Sequence, residues 1–144
     1  MYLIDTDVIS ELRKRDKANP GVVAFFNEMA SSDAPLYVAA LTIGELRRAI
    51  ELVRHRGDVE QAQMLERWLG KLLDEFDDSV LDFDADIAQL WGRLRVPHPE
   101  NPLDKQIAAT ALIHDLTLVT RNVRHFSATG VKLFNPFVAL PRGR

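Results

Sequence analysis

The sequence predicts an α/β fold whose mainly parallel sheet is covered on both faces. Three observations carry this. Short apolar runs at residues 2–4, 36–40, 79–83 and 117–120 alternate with longer stretches whose apolar residues recur at helical spacing. The helical stretches open on capping residues or proline, most clearly at Asn19-Pro20 and Asn101-Pro102. A chain of 144 residues is long enough for one proper core and too short for two ordinary domains.

In order, residues 2–4 read as a buried strand that ends at Asp5, and Thr6 or Asp7 is placed to cap a helix to about Arg13. Asn19 and Pro20 start a second helix carrying Val22, Val23, Phe25, Phe26 and Met29, broken at residues 33–35. Residues 36–40 form the next strand. Thr42 and Glu45 have the T-x-x-E spacing of a capping box, opening a helix through Leu46, Ala49, Ile50 and Val53. Gly57 and Asp58 interrupt it, and a further helix over residues 59–73 places Ala62, Leu65, Trp68, Leu69 and Leu72 on one face, which suggests an αα-hairpin. Residues 79–83 make a third strand, and Asp84 caps a helix to Leu94. A loop with prolines at 97, 99 and 102 delivers Asn101 as a cap and Asp104 into the first turn of an unusually small, apolar helix to about His114. Residues 117–120 give a fourth strand, TRNVRHF a short turn, and residues 131–134 a last edge strand. Residues 1–137 are expected to form a single domain, with 138–144 a loose tail.

Composition narrows the function classes. The hydrophobic fraction of 47% and charged fraction of 27% are those of a soluble globular protein. With no cysteine, disulfides and thiolate metal sites are excluded, which fits a reducing compartment. No leader pattern and no membrane-length apolar run is present, so a cytoplasmic protein with no membrane role is expected. A net charge of −3 gives no blanket attraction to nucleic acid, so any such contact has to be local, through arginines such as Arg47, Arg48, Arg121 and Arg124. Arg13 to Arg15 read more simply as helix-end charges.

Asp5, Glu45 and Asp104 each stand near the start of a helix, and Asp5 and Glu45 follow strands closely. In open α/β sheets the working crevice lies beyond the carboxyl ends of the strands. Asp104 reaches that crevice if its helix runs back toward it, or if the Pro-rich loop carries it there. Gathered carboxylates suit Mg²⁺ or Mn²⁺, hard cations that take oxygen ligands. Such a cation inverts the local charge and prepares the pocket for an anionic phosphodiester. Each acid also has a plainer reading: a strand-end cap for Asp5, the capping box for Glu45, a helix-dipole partner for Asp104. Asp7 reads as a cap or a supporting group. The other acids, from Asp74 to Asp86, read as solvated charges, and Trp68 and Trp91 as packing residues.

Four segments, LIDTDVISEL, LTIGELRRAI, PLDKQIAATAL and LVTRNVRHF, in this order resemble the PIN-domain family, and their spacing is similar to that of VapC-type (FitB-like) toxins. The resemblance implies a three-layer α/β/α sandwich and a Mg²⁺- or Mn²⁺-dependent endoribonuclease. It implies Asp5, Glu45 and Asp104 as catalytic, metal-holding acids, with Asp7, Thr6, Thr120, Arg121 and Asn122 ordering the site or touching substrate. It further implies RNA as substrate, a homodimer or larger assembly, and a cognate antitoxin through which alone the complex meets operator DNA. One position departs. Many members carry a fourth acid where this chain has His125, an imidazole that suits Mg²⁺ poorly and is expected to support the site or to contact phosphate in place of holding a second metal. That departure keeps open an alternative: a catalytically weak or inactive PIN scaffold that acts by binding a regulatory partner.

Overall fold

A computed structural model describes residues 1–138; from residue 139 on, the expected loose tail lies outside the described residues. The elements are β1 (Tyr2–Ile4), α1 (Thr6–Glu11), a 3-10 segment (Leu12–Lys17), α2 (Pro20–Ser32), β2 (Leu36–Ala39), α3 (Ala40–His55), α4 (Val59–Glu75), β3 (Val80–Leu81), α5 (Ala85–Leu94), α6 (Pro102–Ile113), β4 (Thr117–Val119), a second 3-10 turn (Val123–Phe126) and β5 (Leu133–Phe134). The five strands form one parallel sheet in the order β3-β2-β1-β4-β5. The chain therefore leaves β1 in one direction to reach β2 and returns on its other side as β4. The crevice of such a sheet opens where the order reverses, at the carboxyl end of β1.

Strand alternation divides the interior into two cores. Ile4, Val38 and Val119 point to one face, where they meet Val8, Ile9, Val22, Phe25, Leu46, Ile50, Leu69 and Leu72 from α1 to α4. Leu3, Ala39 and Leu118 point to the other, against Ile107, Ala108 and Ala111 of α6 and Phe126, with Leu94 of α5 packed beside them. This is the three-layer α/β/α sandwich. The small residues of α6 let its axis come close to the sheet, and Ala108, Ala109 and Ala111 are fully buried.

Most boundaries follow local chemistry. The Asn19 side chain accepts from the amides of Gly21 and Val22, with Pro20 as the first residue of α2. Asp58 and Asp84 cap α4 and α5 by accepting from Gln61 and Ile87 amides. An Arg47–Glu66–Arg54–Glu51 network clamps α3 to α4 across the expected hairpin.

Some expectations are corrected. The cap of α1 is Asp5 itself, which accepts from the Thr6 amide at 2.8 Å, so neither Thr6 nor Asp7 caps it. The helix ends at Glu11, earlier than expected, and continues as the 3-10 segment. Thr42 and Glu45 form no capping box, because α3 starts directly from β2 at Ala40. Asn101 makes no side-chain cap; it sits at φ 54, in the left-handed region, where its side chain is not set to cap. Trp68 packs on the first core, whereas Trp91 stands half-buried at the edge of Phe83, with Arg95 over its ring at 4.7 Å. Among the described residues, no helix is long and apolar enough to cross a membrane.

Candidate active site

The site is built on the last residue before α1. Asp5 continues β1 by donating its amide to the Val119 carbonyl at 2.9 Å, and its side chain is only 6% exposed. The Thr120 hydroxyl, just past the end of β4, donates to Asp5 Oδ2 at 2.8 Å. The Asn122 amide donates in turn to the Thr120 hydroxyl oxygen at 3.1 Å, which fixes the turn after β4. Asp5 is thus held from its own helix and from the neighbouring strand.

Asp7, two positions further along and in the first turn of α1, faces the same turn. Its Oδ2 accepts from the Arg121 amide at 3.2 Å and from the Asn122 side-chain amide at 3.3 Å. Its Oδ1 is buried without a hydrogen-bond partner, although the Val8 amide is near enough to act on the carboxylate. Glu45, in the second turn of α3, accepts from the Thr6 hydroxyl at 2.6 Å. That bond spans the two helices and gives Glu45 a role that a capping box does not.

Asp104 stands in the first turn of α6, where the Pro-rich loop sets it down. Its Oδ2 lies 2.8 Å from His125 Nδ1. An ionised carboxylate only accepts, so this geometry assigns the proton to Nδ1, which donates. His125 therefore turns inward onto an acid of the site and is no bystander of the turn.

The carboxylates feel one another. Burial, then the charge of Asp7 and more weakly that of Asp104, pushes the Asp5 carboxyl up to about 7, against the pull of the Thr120 and Thr6 hydrogen bonds. Burial also raises Asp7, with Asp104 adding to the effect. Asp5, Asp7 and Asp104 thus form one electrostatic group, with Glu45 joined to it through Thr6. As the side chains stand, no cluster of three or more His, Asp or Glu among the described residues closes into a ready ligand cage. Thr120, Thr6 and His125 occupy oxygens that a cation would share. The donor set nevertheless fits a hard divalent cation: every acidic donor is a carboxylate oxygen, one of them buried and unpartnered, and the group carries a repulsion that a cation relieves.

The acids and the residues expected to support them gather at this end of the sheet: Asp5, Thr6, Asp7, Glu45, Asp104, Thr120, Arg121, Asn122 and His125. Arg121 does so with its backbone amide, while its guanidinium lies over the Phe137 ring at 4.7 Å. Arg47, a candidate nucleic-acid contact, is instead paired with Glu51 and Glu66. Two residues escaped sequence reasoning. Glu11 is 7% exposed and ties α1 to the start of α2 by accepting from the Asn19 amide at 2.8 Å. Lys105 is 5% exposed, and its ammonium donates to the carbonyl oxygens of His98 and Glu100 in the Pro-rich loop. Its signal was its spacing: Lys105 shares a helix face with Ala108, Ala109 and Leu112, a face otherwise wholly apolar.

Comparison with known proteins agrees with this architecture. Residues 2–132 match the PIN domain family. The chain is similar to Toxin FitB of Neisseria gonorrhoeae (strain ATCC 700825 / FA 1090), 34% identical over 95% of this chain and 99% of that protein. It is similar to VapC ribonuclease Y4jK of Sinorhizobium fredii (strain NBRC 101917 / NGR234), 30% identical over 95% of this chain and 98% of the relative. Its fold matches a solved structure of FitAB bound to an IR36 DNA fragment with a TM-score of 0.78 and 30% identity, covering 99% of this chain and all of the matched one (100%).

Proposed function

Because this chain belongs to the PIN-domain family, we propose that it is the ribonuclease toxin of a toxin–antitoxin pair, cutting RNA with the help of Mg²⁺ or Mn²⁺. The observation that carries the proposal is the state of Asp5. A carboxylate buried to 6% exposure, repelled by Asp7 and Asp104 and pushed up to about 7, marks a place where charge is gathered at a cost to the fold. Such a cost is typical of working sites.

In this reading Asp5, Glu45 and Asp104 hold the cation. A cation held there would supply polarisation of a phosphoryl oxygen and a lowered pKa for a bound water. Thr120 keeps the Asp5 carboxylate turned to the crevice, and Thr6 does the same for Glu45. Asp7 braces the turn after β4 through Arg121 and Asn122. Glu45 would complete the cation's shell or orient the attacking water. Exposed arginines steady the RNA backbone. The names of the relatives support a partner antitoxin, and the proposal includes it, together with a homodimer, a cytoplasmic setting and operator contact through the antitoxin.

The deciding experiment is cleavage of single-stranded RNA and DNA by the purified protein with added Mg²⁺ or Mn²⁺, compared with Asp5→Asn and Asp104→Asn. Both variants are expected to lose at least a hundredfold in RNA cleavage. Full activity in either one refutes the assignment.

One observation favours a second reading, in which the scaffold acts chiefly by binding a partner: His125 already occupies Asp104. The two separate on metal binding. A cation that binds the folded state raises its melting temperature. Stabilisation by Mn²⁺ that is lost in Asp5→Ala favours the nuclease; none at all favours the scaffold.

A further inference from the structure

On the far side of Asp104 lies a cleft of about 500 Å³ that the proposed reaction leaves unused. Its walls are the end of α5, the Pro-rich loop, the start of α6 and the turn Val123–Phe126 with the residues after it. It joins the acidic pocket through His125, which lines the cleft and also holds Asp104 at 2.8 Å.

The charges of this cleft are out of keeping with the chain. Against a net charge of −3 overall, its lining carries Arg93, Lys105 and Arg124 with His98 and His125, and Glu100 as its single acid. That acid faces His98 at 3.5 Å. No carboxylate among the described residues forms an ion pair with Arg93, Lys105 or Arg124. Lys105 is the telling member. The residue is 5% exposed, and among the described residues its ammonium is answered by the carbonyls of His98 and Glu100. An ammonium has a third N–H to give. A buried cation lacking a counter-ion lowers its free energy when an anion comes to rest beside it.

We propose that this cleft is a subsite for the RNA strand, seating a phosphate next to the one that is cut, with Lys105, Arg93 and Arg124 as its cations. The strand then passes His125 into the acidic pocket. The subsite rests on the nuclease reading, which supplies the reason for a strand at this spot. It also answers how an acidic protein grips a polyanion: by a local basic wall beside the metal-binding acids, in place of an overall positive charge.

The test uses the full chain carrying Asp5→Asn, so that RNA is bound and left whole, with and without Arg93→Gln and Arg124→Gln together. Both arginines are exposed, so the fold does not depend on them. Binding of a labelled single-stranded oligoribonucleotide is measured over a range of salt concentrations. The double substitution is expected to weaken binding at least tenfold and to flatten the slope of log K against log salt by about 0.7, the value for one lost phosphate contact on a single strand. Unchanged affinity and slope overturn the proposal. Inorganic phosphate at constant ionic strength separates a strand from a free ion: phosphate binding that needs the arginines, while oligonucleotide binding does not, also overturns it. Cleavage by the unaltered chain judges the nuclease reading separately. RNA that is cut while the double variant binds as tightly as before keeps the nuclease and removes the subsite. RNA that is never cut, yet is held through Arg93 and Arg124, removes the nuclease and keeps the cleft.

Discussion

The Thr6 hydroxyl donates to Glu45 Oε1 at 2.6 Å, linking the first turn of α1 to the second turn of α3 across 39 residues of sequence. Among the described residues it is the one side-chain bond that brings Glu45 into the group around Asp5, and it makes these two residues a coupled pair. A double-mutant cycle with Thr6→Val and Glu45→Ala is expected to give a coupling on the order of 1 kcal/mol in unfolding free energy, as for a hydrogen bond to a charged group that is partly exposed. Chemical denaturation of the four proteins measures it. Additive effects, within the error of a few tenths of a kcal/mol, would show that the contact holds nothing together.

The Asp5 carboxyl sets a pH dependence whose sign is unusual for an aspartate. Its ordinary value near 3.8 rises to about 7 in the fold, so the folded state takes up the proton more readily than the unfolded chain. Stability of the metal-free protein therefore falls as pH rises from about 4 to about 7, by an amount on the order of 4 kcal/mol from this group alone. Asp7, also raised, adds in the same direction. In chelator at pH 8, Asp5→Asn is expected to melt at a higher temperature than the unaltered protein, with the difference vanishing near pH 4. Parallel melting curves across that range would contradict the burial and repulsion at Asp5.

Replacing His125 by aspartate tests the departure in the TRNVRHF segment. The change removes the Nδ1 donor from Asp104 and sets another carboxylate beside it. In chelator the His125→Asp protein is expected to be less stable than the unaltered chain. With Mg²⁺ it is expected to gain more in melting temperature, because four acids then share the cation. A smaller Mg²⁺ response than that of the unaltered chain would mean that position 125 does not face the metal.

What sequence could and could not reveal divides along the range of the forces involved. The β1 run, the Asn19-Pro20 start of α2 and the Asp84 cap are set by neighbours within four residues, and each is found where the pattern predicts it; Asp58, read only as a break between helices, turns out to cap α4. Glu45 is the instructive failure. Thr42 and Glu45 have capping-box spacing, but β2 feeds α3 with no intervening loop, so Thr42 is already the third helical residue and fully buried. The partner that gives Glu45 its role sits at position 6, beyond the reach of any local pattern. The same holds for Thr120, whose bond to Asp5 spans 115 residues and was expected only through the family resemblance. Lys105 shows the converse limit: nothing in a helical periodicity says that a lone cation on an apolar face will find two loop carbonyls.

The place of β1 in the sheet sets an order of events during synthesis. Of the five strands it is made first, yet it lies at the centre, and one of its two neighbours, β4, is made fourth. While the chain is growing on the ribosome, Asp5 has emerged but still lacks the strand beside it, the Thr120 hydroxyl and the helix that brings Asp104. The group around Asp5 is therefore complete only once β4 and the turn after it have been made, so under the proposed function a chain stopped short of them has no assembled site with which to cut RNA.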